Sequence, residues 1–128
     1  MVVLAVATAY GVWHRTSRGR VKAKSEIGQS PLVKIVDSLG EQATLVQFSS
    51  AFCSPCRATR ALLKDIAATN PGVTHVEIDA EKELALVRTL HIRSTPTTVI
   101  LDSDGREVGR AVGAPKREQV LDALATLQ

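Results

Sequence analysis

The sequence predicts an α/β fold, a mixed central β-sheet of about four strands with helices covering both faces. Short β-branched apolar runs alternate with longer segments whose apolar residues recur at helical spacing. The last two runs are separated only by the turn Ser103-Asp104-Gly105. Parallel strands need crossover helices and the closing pair needs only a hairpin, so the sheet mixes both senses. A chain of 128 residues holds one such domain with room for an appendage.

Residues 1–13 are uncharged and mostly apolar, ending in Tyr10-Gly11-Val12-Trp13. As a helix this segment reaches about 20 Å, short of the roughly 30 Å hydrocarbon core of a bilayer. Tyr10 and Trp13 precede a basic cluster, the order found at a membrane interface, where rings sit at headgroup depth and arginines stay wet. The segment is therefore a membrane-anchor candidate, and the positive-inside rule places the following domain in the cytoplasm. Two alternatives stand beside that reading. Ala5-Val6-Ala7 offers a cleavage site for an export signal, although no basic region precedes it, and a soluble cytoplasmic protein could carry an apolar tail.

Residues 14–31 are polar, basic and glycine-containing, and read as a linker. Arg15, Arg18, Arg20, Lys22 and Lys24 are five of the sixteen basic residues. From Ser25 onward, eleven basic residues face thirteen acidic ones. The net charge of +3 thus belongs to the linker, and the domain has no nucleic-acid signature.

The domain runs over residues 32–128. Leu32, Val33, Ile35, Val36 and Leu39 recur at helical spacing and stop at Gly40. Thr44 to Phe48 forms a short buried strand. Ser54-Pro55 opens a helix with Ala58, Leu62, Leu63, Ile66 and Ala67 on one face, ended by Asn70-Pro71-Gly72. Val73, Val76 and Ile78 mark a second strand, and Glu81 to Leu90 a further helix. Thr97 to Leu101 and a run through Val108 and Val112 form the hairpin. After Ala114-Pro115, a last helix turns Val120, Leu121, Leu124 and Leu127 inward.

The only two cysteines, Cys53 and Cys56, join the first strand to its helix in Phe52-Cys53-Ser54-Pro55-Cys56-Arg57. Two thiols at this spacing close a small ring with little backbone movement. The first lies where free amide N–H groups and the helix dipole stabilise a thiolate. Two cysteines make no disulfide scaffold, which leaves catalysis, metal binding or neither. Zinc needs four soft or imidazole ligands, and His14, His75 and His91 are scattered, so no metal site is expected. Read alone, Pro96 fits either a cis bond or a trans proline opening an edge strand.

From Leu32 to Gln128 the chain resembles the thioredoxin family. The resemblance rests on the Cys53-Ser54-Pro55-Cys56 motif, the strand end Ile78-Asp79, and Ile92-Arg93-Ser94-Thr95-Pro96-Thr97 about forty residues later, with Gly105 and Gly113 completing the set. It implies a thioredoxin fold and a thiol–disulfide oxidoreductase with Cys53 as nucleophile and Cys56 as resolving thiol. It also implies a cis Pro96 that exposes the Thr95 backbone to an extended substrate. Thr95, Pro96 and Gly113 would line a docking groove, with Phe52 at its rim and Pro55 stiffening the helix start. Implied partners are disulfide-containing protein substrates and a thioredoxin-reductase-type electron donor, with no cofactor beyond the two sulfurs. A glutaredoxin reading is weaker, because that family prefers an aromatic residue after the proline.

The departures from the family pattern matter too. Phe52 replaces the usual tryptophan, and Ser54 the usual glycine. Gln47 occupies the position of a buried aspartate thought to move the resolving proton, and His75 that of a nearby lysine. Glutamine can hydrogen-bond but cannot accept that proton, so Gln47 and His75 define a proton-transfer region of altered chemistry. The alternative this opens is a docking or chaperone module with little or no redox turnover.

Overall fold

In the computed structural model, residues 2–17, 21–23 and 28–127 are described. The elements are α1 (Val2–Ser17), β1 (Val21–Ala23), a 3-10 turn (Pro31–Lys34), β2 (Ala43–Ser49), α2 (Ser54–Thr69), β3 (Val73–Asp79), α3 (Leu84–Thr89), β4 (Thr97–Asp102), β5 (Glu107–Val112) and α4 (Arg117–Ala125). The sheet order is β1-β5-β4-β2-β3, with β2 and β3 parallel and every other pair antiparallel. This is the thioredoxin fold.

Every residue of β2 is buried, because the strand is central and covered on both faces. Its alternation divides the core. Ala43 and Leu45 meet Leu63, Ile66, Val120 and Leu124 under α2 and α4. Val46 and Phe48 meet Leu32, Val36, Leu86 and Leu90 on the opposite face. Each large aliphatic or aromatic side chain buried here contributes about 1.5–3 kcal/mol. Strand periodicity then carries Gln47 and Ser49 to the α2 side, where both are buried polar residues. That placement builds the site.

The predicted helix over Leu32–Leu39 is shorter than its spacing suggests. Pro31 and the Ser30 cap start a single 3-10 turn, and the Ile35 and Val36 amides both end on the Leu32 carbonyl. Gly40 is not a helix stop. A side chain there would collide with the Ala43 and Gly72 carbonyl oxygens where β2 begins beside β3. The predicted helix over Glu81–Leu90 starts late, because Asp79 takes the Glu81 amide at 2.9 Å and shapes residues 79–82 into a turn.

The segment read as a linker holds structure. Helix α1 continues to Ser17, and Val21–Ala23 forms an edge strand, Val21 opposite Ala111 and Ala23 opposite Gly109. Such a short, basic stretch carries no strand signal of its own; the open edge of β5 supplies the pairing. Residues 18–20 and 24–27 of the linker reading lie outside the described residues. In α1, Val2, Val3, Leu4, Val6, Tyr10, Val12 and Trp13 are all exposed. Among the described residues, no helix is long and apolar enough to cross a membrane.

Candidate active site

Cys53 is the N-cap of α2, with extended backbone angles, and its sulfur accepts the Cys56 amide N–H at 3.2 Å. Pro55 sits in the first helical turn, where a missing N–H costs nothing because that donor has no helical partner. Cys53 and Cys56 form a disulfide across a Cα separation of 5.2 Å. Cys56 is buried against the sheet and Cys53 half-buried. The two sulfurs therefore differ in access, and the outer one lies at the positive end of the helix.

Beneath Cys56, Gln47 is wholly buried with its side chain satisfied on both sides. Its amide nitrogen donates to the Cys56 carbonyl at 2.9 Å and to Ser49 Oγ at 3.0 Å. Its oxygen lies 3.0 Å from His75 Nε2. The Cys56 carbonyl can only accept, which fixes the orientation of the amide and requires the His75 tautomer that carries its proton on Nε2. Burial pushes His75 below its ordinary value of 6.5; Glu77 opposes this, while Arg60 and Lys64 add to it. The two departures from the family pattern thus meet in one uncharged hydrogen bond.

Sequence reasoning missed the continuation of this network. Ser49 Oγ donates to Glu77 Oε2 at 3.0 Å, and Arg60 Nε reaches the same oxygen at 2.7 Å. The available signal was the two-residue strand period, which puts Ser49 beside Gln47 and Glu77 beside His75 on one face. Ser49, Ser50, Ala51, Arg60, Glu77 and Asp79 line a polar cleft of about 220 Å³.

The Thr95–Pro96 peptide is cis. Phe48 pairs with Thr97, so the ends of β2 and β4 leading to Cys53 and from Pro96 lie at the same end of the sheet. Ser50 Oγ and Thr95 Oγ1 are 3.1 Å apart and join the two loops directly. The Pro96 carbonyl accepts the Gly113 amide at 2.9 Å, where Gly113 has a φ of 89°. Thr95, Pro96 and Gly113 are therefore brought together, as Gln47, His75 and Cys56 are. Phe52 is fully exposed next to Cys53.

A family model described as a thioredoxin-like domain matches residues 32–128. The thioredoxin of Chlamydia pneumoniae is 34% identical over 93 residues, covering 68% of this chain and 90% of that protein. Thioredoxin H2-1 of Oryza sativa subsp. japonica is 30% identical over 114 residues, covering 80% of this chain and 82% of that one. The structure of reduced Schistosoma mansoni thioredoxin pre-protein superposes with a TM-score of 0.64 at 23% identity, over 78% of this chain and 92% of the other. With its paired cysteines on that fold, the chain belongs to the thioredoxin-like domain family and is a protein-disulfide oxidoreductase.

Proposed function

We propose that the chain reduces disulfide bonds in protein substrates, with Cys53 attacking and Cys56 resolving. The observation that carries this is Cys53 at the amino end of α2 with the Cys56 N–H directed at its sulfur. As thiolate, Cys53 attacks one sulfur of the substrate disulfide; that bond breaks as the mixed disulfide forms, and one substrate thiolate leaves. Cys56 then gives up its proton and attacks Cys53, and the second substrate thiolate leaves. Two electrons have passed to the substrate, and the chain rests as the Cys53–Cys56 disulfide. A dithiol donor of the thioredoxin-reductase type returns the two electrons.

The substrate docks in extended form on the Thr95 backbone edge, with Pro96 and Gly113 as the floor and Phe52 and Pro55 at the rim. Gln47 and His75 form the proton-transfer region. Since neither takes the place of a carboxylate base, the resolving step at neutral pH is slower than in relatives with aspartate. Residues 1–13 associate with a membrane, the domain facing the cytoplasm. Support comes from the exposed apolar side chains of α1 and the basic cluster that follows them.

Insulin-disulfide reduction driven by dithiothreitol tests the chemistry. Turnover by the parent chain and its complete loss in Cys53→Ser is the expected result. Equal rates for the two would overturn it, and partner binding that survives Cys53→Ser in a chain without turnover would favour the docking module. Vesicle flotation with protease protection tests the membrane association separately.

A further inference from the structure

Ser49, Glu77 and Arg60 enter no step of the exchange above, yet they are joined to Cys56 by hydrogen bonds whose direction is fixed atom by atom. One hydrogen of the Gln47 amide goes to the Cys56 carbonyl and the other to Ser49 Oγ. Ser49 already accepts from Gln47, so its single hydrogen goes to the Glu77 carboxylate at 3.0 Å. Arg60, one helical turn beyond Cys56, holds that same carboxylate oxygen. His75 occupies the oxygen of Gln47, so the amide cannot turn over without losing partners on both sides. A chain in which each donor points toward a charged acceptor polarises along its length.

We propose that Glu77 is a positioning residue for the thiol–disulfide exchange, holding Cys56 in place beneath Cys53 through Ser49 and the Gln47 amide. This rests on the Cys53–Cys56 chemistry itself and adds to it a part for a surface carboxylate. Cys56 is gripped at both ends of its backbone, its carbonyl by Gln47 and its N–H by the Cys53 sulfur. The residue whose carbonyl the network holds is the one whose amide serves the sulfur that becomes anionic on reduction. An anion gains more from that amide than a disulfide sulfur does. Loosening the network therefore disfavours the dithiol. Ser49 and Glu77 also line the cleft, so the carboxylate end of the network can be changed at the surface without repacking the core.

The test is equilibration of the full chain with glutathione redox buffers, reading the oxidised fraction for the parent, Ser49→Ala, Glu77→Gln and the double variant. Each single variant shifts the equilibrium constant toward the disulfide by about three- to tenfold, the value of roughly one hydrogen bond. The double variant shifts it no further than the larger single, because both substitutions cut one chain. An unchanged or reversed equilibrium in Glu77→Gln, or shifts that multiply in the double variant, would overturn the proposal. Should buried Ser49→Ala fail to fold, the surface variant Glu77→Gln decides alone. A parent chain that never equilibrates with glutathione would instead overturn the exchange chemistry, and the positioning role with it.

Discussion

Gln47 uses both amide hydrogens and its oxygen on Cys56, Ser49 and His75 while wholly buried, so its side chain is a joint rather than a filler. Gln47→Ala leaves those partners unpaired around a cavity and lowers stability by about 3 kcal/mol, read as a lower urea midpoint. His75 gives the joint a pH dependence. With its folded value depressed by burial, the unfolded chain takes up the proton first as pH falls through 6.5. The contribution is therefore complete above that pH and is lost on acidification toward the folded value. Urea midpoints measured against pH will show this slope in the parent and lose it in His75→Gln. At the sulfurs, Cys56→Ser completes the first attack and stops, so the mixed disulfide between Cys53 and substrate accumulates and is visible by mass spectrometry. Release of substrate from that variant at the parent rate would contradict the resolving role.

Elements form here where local pattern and tertiary demand agree, and shift where they do not. Helix α2 was legible because its cap, its first-turn proline, its apolar face and its Asn70-Pro71-Gly72 end all coincide. The stretch Leu32–Leu39 misled because its apolar residues share a helical period, whereas a single 3-10 turn forms, Leu32, Val36 and Leu39 pack on the core and Ile35 is exposed. Gly40 is the telling residue. Its role is a close approach of two backbone oxygens to its Cα, which no local signal encodes. Gly40→Ala should cost about 3 kcal/mol, at the upper end of ordinary substitutions, and a thermal melt within a degree of the parent would refute that account. The strand Val21–Ala23 was invisible for a different reason, since its partner is an edge almost ninety residues away in sequence. The cysteines, Pro96 and the Gln47–His75 departures were legible as residues. Their extension through Ser49 to Glu77 and Arg60 required the register of β2 against β3.

For the whole molecule, the sheet brings the α2 terminus and the cis-proline loop to one end, while helix α1 leaves its apolar side chains exposed, the feature behind the proposed membrane association. Deleting residues 1–13 should abolish vesicle binding and leave insulin reduction unchanged; a large loss of turnover would tie that segment to the chemistry. The proposed chemistry begins with the ease with which the Cys53 sulfur, at the amino end of α2, becomes an anion. The most direct measurement is ultraviolet titration of thiolate in the reduced full chain, with Cys56→Ser to assign the signal. Ionisation of Cys53 clearly below the about 8.5 of a free cysteine is the expected result. Ionisation at or above that value would contradict the account.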